Sequence, residues 1–148
     1  EGITVRRINF IVGLPGSGKT YLMNRLLSIP DAKDRIILVD DPKSLADFAA
    51  AIDSGKDIIA ADPNLCFKNN QDCARNHFES LGFETTWLFF ENEPRNAEKN
   101  IKRRNDDRGP INLKMFSDGY YIPDGATVIE IQIADEDRLD LLWEKDGE

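Results

Sequence analysis

Eight residues near the amino end, G-L-P-G-S-G-K-T at positions 13–20, have the types and spacing of a phosphate-binding loop. They fit the template G-x-x-x-x-G-K-[ST] at every fixed position, and an apolar run leads directly into them. Such glycines let backbone N–H groups turn inward around a polyphosphate, while Lys19 can reach the β- and γ-phosphates and Thr20 can ligate Mg²⁺. We therefore predict that a nucleoside triphosphate binds at Gly13, Pro15, Gly16, Ser17, Gly18, Lys19 and Thr20.

Acidic side chains follow the second and third predicted strands. Asp40 and Asp41 come after the apolar run at 35–39, and Asp62 comes after the run at 57–61. Ligands of a parallel sheet bind beyond the carboxyl ends of its strands, so we expect these carboxylates near the phosphates. Asp40 is predicted to be a general base that draws the proton from an acceptor hydroxyl, with Asp41 as the alternative or merely as part of a turn. Asp62 could hold Mg²⁺ through water, orient the acceptor, or cap the following segment.

A basic segment at 95–108 carries six Lys or Arg residues against three acidic ones. Arg104 and Arg108 lie one helical turn apart and share a face, whereas Arg103 points elsewhere. Because an arginine fork grips two phosphate oxygens and stays charged, a helix here could present both residues on a lid over the triphosphate. The alternative is a solvated helix face on which these charges pair with neighbouring aspartates.

Other reactive side chains are assigned structural roles, with one exception. His77 is predicted to be a partly buried or surface residue of a helix. Cys66 and Cys73 have no His or Cys partners at metal-binding spacing, so we expect reduced thiols rather than a disulfide or a zinc site. Tyr120 and Tyr121 fall in a loop-like stretch, where one of them could stack on a base.

The elements that must position these residues alternate between strand and helix. Apolar runs predict strands at 8–12, 35–39, 57–61, 85–90 and 127–133. Helical spacing predicts helices at 20–27, 45–52, 74–81 and 135–145, and another that starts after Pro94, runs toward Arg108 and is ended by Gly109 and Pro110. The pattern indicates an α/β P-loop NTPase fold, a three-layer sandwich with a five-stranded, mostly parallel sheet and a helical lid.

Length and charge limit the possible classes of protein. The 148 residues are expected to form one domain, 1–148, with a lid at about 95–121 and an acidic segment at 124–148. The net charge of −8 is concentrated in that segment, which carries nine acidic and two basic residues. No membrane span or secretory signal is recognisable, and we expect a soluble cytoplasmic protein with no membrane contact and no evident protein partner.

Four motifs together resemble the kinase domain of phage polynucleotide 5′-hydroxyl kinase and its small P-loop relatives. They are G-L-P-G-S-G-K-T at 13–20, D-D-P-K at 40–43, I-I-A-A-D-P-N-L at 58–65 and K-R-R-N-D-D-R-G at 102–109. The likeness runs from about residue 9 to residue 121. The loop alone would indicate only an NTPase or kinase, whereas four elements in this order are considerably more specific.

The resemblance implies roles for individual residues. Lys19 and Thr20 would hold phosphates and metal, Asp40 would activate the acceptor hydroxyl, and Arg104 and Arg108 would be the lid arginines. Asp41, Lys43 and Asn64 would contact the acceptor. Lys43 departs from the family pattern, which has an arginine at this position to grip the phosphate of the acceptor, and a lysine lacks that fork.

The resulting expectation is an ATP- and Mg²⁺-dependent kinase that phosphorylates a hydroxyl of a nucleic acid or nucleotide. The acceptor could be a polynucleotide 5′ end, a hydroxymethyl group on a modified base, or a free nucleotide or nucleoside. A small-metabolite or antibiotic kinase is an alternative. So is an NTP-hydrolysing switch or binding module, although the sequence shows no signature of a segment ordered by the γ-phosphate.

Overall fold

The computed structural model describes residues 5–103 and 109–132. The strands in these ranges are β1 (Arg7–Val12), β2 (Ile36–Asp40), β3 (Asp57–Ala61), β4 (Glu84–Phe90) and β5 (Val128–Ile129). The α-helices are α1 (Lys19–Leu27), α2 (Ala32–Arg35), α3 (Ala49–Asp53), α4 (Lys68–Ser80), α5 (Pro94–Arg103) and α6 (Gly109–Gly119). Short 3₁₀ turns at Leu45–Phe48 and Pro63–Cys66 precede α3 and α4.

The five strands form one parallel sheet in the order β2-β3-β1-β4-β5. Parallel neighbours need crossover connections, which the helices supply. Ala61 at the end of β3 lies opposite both Ile11 of β1 and Asp40 of β2. The carboxyl ends of three strands therefore meet at one edge of the sheet, and the segments that follow them can build a common site.

The central strand β1 is buried on both faces. Ile8, Phe10, Ile11 and Val12 are at most 1% exposed, as expected of a parallel strand that is covered by helices on both sides. The Phe10 ring packs edge-on against Phe78 of α4, with ring centroids 5.7 Å apart. This contact fixes α4 beside the strand that leads into the phosphate-binding loop.

The predicted fold class is confirmed: the chain forms an α/β structure with a five-stranded parallel sheet. The predicted limits of the first four strands agree with the structure to within one residue, and those of β3 are identical. The predicted helix at 45–52 is divided into the 3₁₀ turn and α3. The strand predicted at 127–133 is shorter, with β5 confined to Val128–Ile129, and residue 133 lies outside the described residues.

The prediction that Gly109 and Pro110 end a helix is wrong, because both residues belong to α6. A proline is tolerated in the first turn of a helix, where its missing N–H would have no intrahelical partner. The predicted closing helix at 135–145 lies outside the described residues. Across residues 5–103 and 109–132, no helix combines the length and apolar character needed to cross a membrane.

Candidate active site

The phosphate-binding loop connects the end of β1 to the start of α1. Gly16 and Gly18 have φ values of 84° and 107°, the left-handed region that favours glycine. Gly18 is also the residue before the first turn of α1, so the loop closes onto the positive end of that helix. Ser17 is 2% exposed, and its hydroxyl has no hydrogen-bond partner within the described part of the chain. A loop with these torsions and an unsatisfied buried donor fits an oxyanion ligand.

Lys19 folds back across this loop. Its ammonium donates hydrogen bonds to the carbonyl oxygens of Gly13 and Leu14, both at 2.8 Å. These bonds keep the positive charge at the mouth of the loop rather than in open solvent. The charge is therefore held where the resemblance implies that the β- and γ-phosphates bind.

The Thr20 hydroxyl and the Asp40 carboxylate are brought together by the fold. Thr20 Oγ1 donates a hydrogen bond of 3.1 Å to Asp40 Oδ2, which links the first turn of α1 to the end of β2. Asp40 is exposed and thus accessible to a ligand. The carboxylate predicted to be the base thus lies beside the hydroxyl predicted to ligate the metal.

Asp41 turns the chain away from the sheet after β2. It has a φ of 52°, which is uncommon for a residue other than glycine, and its N–H donates to the Ala61 carbonyl at 2.7 Å. Its carboxylate pairs with the Lys43 ammonium at 3.0 Å. Both side chains are largely exposed, so this ion pair contributes little to stability. The two predicted acceptor contacts therefore lie together at the surface beside Asp40.

Asp62 follows β3 and caps the next turn, one of the roles that the sequence left open. Its carboxylate accepts a hydrogen bond of 3.0 Å from the Asn64 N–H. The pKa of this carboxyl is raised above its ordinary value, mainly because the group is partly buried, and the nearby Asp41 charge raises the pKa further. The bond from Asn64 and the Lys19 charge act in the opposite direction. Asp62 thus lies within electrostatic reach of both the loop lysine and the turn after β2.

The donor set fits a magnesium ion shared with a bound nucleotide. Mg²⁺ in such sites keeps several waters and uses one or two side chains in addition to phosphate oxygens. The described residues contain no group of three or more His, Cys, Asp or Glu side chains that could hold a metal by themselves. Thr20 and Asp40 offer a hydroxyl and a carboxylate at one point, and Asp62 directly follows the neighbouring strand β3.

Helix α5 packs directly on the phosphate-binding loop. A Cβ atom at Gly16 would clash with the Ala97 carbonyl oxygen and lie 2.9 Å from the Ile101 side chain. Asn100 is 9% exposed, and its amide donates 2.8 Å to the Gly16 carbonyl and 2.9 Å to the Gln132 carbonyl. The sequence analysis missed Asn100. The available signal was a polar residue within the apolar stripe formed by Ala97 and Ile101.

Arg104 and Arg108, the predicted lid arginines, lie outside the described residues. Tyr120, which could have stacked on a base, has a structural role instead. Its hydroxyl bonds to the carbonyl oxygens of Phe90 at 2.6 Å and Val12 at 3.2 Å. The adjacent Tyr121 is 39% exposed, with the Lys68 ammonium 5.6 Å from its ring centroid.

The remaining reactive side chains lie on or near α4. His77 is half-buried, and its ring packs edge-on against Phe78 with centroids 5.1 Å apart. Cys66 and Cys73 are both free, the first buried and the second exposed. Burial raises the pKa of the Cys66 thiol to about 12. These positions agree with the structural roles expected from the sequence.

An open groove of about 310 Å³ is lined by Asp62 and by Pro42 and Lys43, which follow Asp41 in the chain. Its apolar floor includes Phe10, Phe48 and Phe78, and its polar rim includes Lys43, Asn64, Asp62, Ser44 and Asn70. Two of the three predicted acceptor contacts, Lys43 and Asn64, thus border one concave surface. The sequence analysis did not foresee the groove, because its floor is built from residues that are distant along the chain.

The parallel sheet and the phosphate-binding loop together define a P-loop NTPase structure, which was compared with known proteins by sequence and by fold. No protein-family model matches the sequence. The chain is similar to the uncharacterized protein R277 of Acanthamoeba polyphaga mimivirus, with 29% identity over 117 residues, which cover 72% of this chain and 78% of that protein.

Solved structures show the same fold at low identity. Kti12 of Chaetomium thermophilum, solved with ADP-AlF₃, has a TM-score of 0.63 at 16% identity, covering 93% of this chain and 96% of that one. The APS kinase CysC of Mycobacterium tuberculosis, solved with AMPPNP and APS, has a TM-score of 0.59 at 12% identity. The match covers 96% of this chain and 98% of that one. A fungal RNA kinase has a TM-score of 0.55 at 12% identity, and the match covers 90% of this chain and 78% of that one. The chain therefore has a P-loop kinase fold, and the finer resemblance to phage polynucleotide kinase stays a prediction.

Proposed function

We propose that this protein is an ATP-dependent kinase that transfers the γ-phosphoryl group to a hydroxyl of a nucleic acid or nucleotide. A polynucleotide 5′-hydroxyl and a hydroxymethyl group on a base in DNA are the two acceptors that we favour. The observation that carries the proposal is the hydrogen bond between Thr20 and Asp40, because it joins a candidate base to the phosphate-binding loop. The likeness in fold to an APS kinase and an RNA kinase supports it.

The loop and two carboxylates would share the work of phosphoryl transfer. The loop amides and Lys19 would bind the phosphates, and Thr20 would ligate Mg²⁺, as in other P-loop enzymes. Magnesium, when bound, neutralises charge on the phosphates. Asp40 would accept the proton of the acceptor hydroxyl while the oxygen of that hydroxyl bonds to the γ-phosphorus. At the same time, the bond between the γ-phosphorus and the β,γ-bridging oxygen would break, which leaves ADP. Asp62 would either support the metal through water or orient the acceptor.

Positive charge is also needed around the moving phosphoryl group. We propose that Arg104 and Arg108 supply it, as the resemblance implies, from the segment that joins α5 to α6. Asp41, Lys43 and Asn64 would contact the acceptor.

A small-metabolite kinase is the second candidate. The observation that favours it is the size of the groove, since 310 Å³ is at the lower end of ligand sites, which span about 300–1,000 Å³. In this case the acceptor would be a free alcohol, and no nucleic acid or nucleotide would be phosphorylated.

The test is transfer of labelled γ-phosphate from ATP to a panel of acceptors. The panel contains 5′-hydroxyl oligonucleotides, hydroxymethylated DNA, nucleotides, nucleosides and simple polyols, and each labelled product is identified. We expect acceptor-dependent ADP release and label in a nucleic acid or nucleotide product. Label in polyols alone would favour the metabolite kinase, and hydrolysis without any dependence on acceptor would contradict a kinase.

A further inference from the structure

The groove that Asp62 helps to line has an apolar floor and a mostly uncharged polar rim, and these properties favour some acceptor groups over others. Its floor is apolar: the exposed Leu45 lines it, and beneath it Phe48 and Phe78, which are 5% and 0% exposed, pack edge to face at a centroid distance of 5.0 Å. Its rim carries uncharged hydrogen-bonding groups, among them the side chains of Asn64 and Asn70. An apolar floor with a few polar groups suits a planar ring whose edge can form hydrogen bonds.

The groove offers little positive charge. Of the described residues that line it, Lys43 and Asp62 are the charged ones. The Lys43 ammonium is already paired with Asp41 at 3.0 Å, and its side chain is 80% exposed. A phosphate group inside the groove would therefore be repelled by the Asp62 carboxylate. The one cation available to offset this repulsion is Lys43, which is already paired with Asp41.

The cations of α4 are directed elsewhere. Lys68 and Arg75 both bind Asp72, at 2.8 Å and 3.0 Å. They also approach the rings of Tyr121 and Trp87, which are not among the residues that line the groove. The face of α4 that borders the groove presents Asn70, Cys73 and Ala74 instead.

We propose that the group that enters this groove is an uncharged, nucleoside-like ring that carries the reacting hydroxyl, and that any phosphate of the acceptor stays outside. The inference rests on the proposed function and narrows its substrate class. The free nucleoside, or a base displaced from a strand, is the unit that binds, and a phosphate attached to it hinders entry rather than helping it.

A binding measurement tests the inference independently of turnover. Cys73 is exposed and lines the groove, whereas Cys66 is fully buried, so the rate of maleimide labelling at Cys73 reports on occupancy. The protein, saturated with a non-hydrolysable ATP analogue and Mg²⁺, is titrated with matched pairs: thymidine and its 3′-monophosphate, and 5-hydroxymethyl-2′-deoxycytidine and its 5′-monophosphate. Inorganic phosphate serves as the control.

We expect a nucleoside to protect Cys73 at a concentration roughly fivefold lower than its monophosphate, the size of effect that a partly exposed like charge produces. Inorganic phosphate should give no protection. Better protection by the monophosphates, or none by any nucleoside, would overturn the inference. Protection by nucleosides without phosphoryl transfer to any member of the acceptor panel would instead overturn the proposed function and leave the binding preference standing.

Two lysine substitutions on α4 sharpen the test. Asn70 lines the groove, whereas the exposed neighbour Asn69 does not. Asn70→Lys adds a cation to the rim, and we expect it to shift the preference toward the monophosphates by roughly fivefold. Asn69→Lys makes the same change in net charge and should leave the preference as in the wild type. Equal shifts in both variants would mean that long-range charge, not the groove, sets selectivity.

Discussion

The Thr20 hydroxyl donates a hydrogen bond to the Asp40 carboxylate across 3.1 Å, although β1 and β2, which lead to these two residues, are separated in the sheet by β3. A hydroxyl has one proton to donate and two lone pairs to offer. Donation to Asp40 leaves the lone pairs of Thr20 free for a cation. In the proposed reaction, Asp40 would therefore orient the hydroxyl toward a metal as well as act on an acceptor.

Replacing Asp40 with asparagine separates these two tasks. The amide oxygen of Asp40→Asn can still accept the bond from Thr20, but asparagine does not act as a base at neutral pH. We expect ATP affinity within about threefold of the wild type and a kcat roughly 10²–10⁴-fold lower, the usual contribution of a general base. Isothermal titration and steady-state kinetics measure the two quantities.

Asp34→Asn provides the matched control, because Asp34 is exposed on α2, which leads into the amino end of β2, whereas Asp40 stands at the carboxyl end of that strand. This variant should keep both parameters. Wild-type turnover in Asp40→Asn would show that Asp40 is not the base and would direct attention to Asp62.

Asn100 links α5, the phosphate-binding loop and the segment after β5 through one amide group. Asn100→Ala leaves the carbonyl oxygens of Gly16 and Gln132 without this donor, and we expect a loss of about 1–3 kcal/mol in the free energy of unfolding. ATP should bind more weakly as well, since the loop loses a support. Urea denaturation and nucleotide titration measure these effects.

The exposed Asn76 of α4 is the control for this prediction. Asn76→Ala should change neither stability nor nucleotide affinity by more than the scatter of the measurement. If Asn100→Ala were equally silent, the contact of α5 with Gly16 would not depend on this amide.

The two cysteines should differ sharply in reactivity. The pKa of Cys66 is raised by burial to about 12, so at pH 8 only about one molecule in ten thousand carries the thiolate that reacts. Cys73 is exposed. We expect iodoacetamide to modify one thiol per native chain, at Cys73, and both thiols after unfolding. Mass spectrometry of tryptic peptides identifies the position, and fast modification of native Cys66 would contradict the burial described above.

Tyr120 is predicted to stabilise the fold rather than to bind a ligand. Its hydroxyl connects the ends of β1 and β4 through the carbonyl groups of Val12 and Phe90. Tyr120→Phe should lower the free energy of unfolding by about 1 kcal/mol, while Tyr121→Phe, which alters an exposed ring, should have no measurable effect. Thermal denaturation of the pair is the measurement. A larger loss in Tyr121→Phe would reverse the assignment.

Local patterns predicted most of the fold and the proximity of the main candidate site residues. The run before Gly13 specifies a buried parallel strand, and the loop template specifies both its own conformation and the start of α1, because each depends on neighbours in sequence. The acidic residues after β2 and β3 were placed at the correct edge by a topological rule. These features could be predicted because the residues that determine them lie close together in the sequence.

What could not be predicted depends on contacts between distant segments. The bond from Asn100 to Gly16 spans 84 positions, and the two acceptors of the Tyr120 hydroxyl lie 30 and 108 positions away. The helical conformation of Gly109 and Pro110 was missed for a different reason, since the pair was interpreted as a stop signal although proline is also tolerated in the first turn of a helix. The aromatic floor of the groove also required tertiary structure, because Phe10, Phe48 and Phe78 come from three separate elements.

Asp62 should reduce the stability of the nucleotide-free protein at neutral pH. Burial raises the pKa of its carboxyl above the ordinary 3.8, so the native state binds this proton more tightly than the unfolded state does. Its contribution to stability is then fully present below about pH 3.8 and is lost as the pH rises through the native pKa. Asp62→Asn removes the charge, and asparagine can still cap the turn at Pro63–Cys66.

We therefore expect Asp62→Asn to have a higher Tm than the wild type at pH 7, with a difference that shrinks as the pH falls toward 4. Asp53→Asn, which alters an exposed carboxylate at the end of α3, should show no such pH-dependent difference. Melting curves at several pH values test this. A lower Tm at neutral pH would mean that the attraction of Lys19 and the bond from Asn64 outweigh burial. If Asp62 serves the proposed reaction, the stabilised variant should also lose turnover, as expected where a charge is kept for function at a cost in stability.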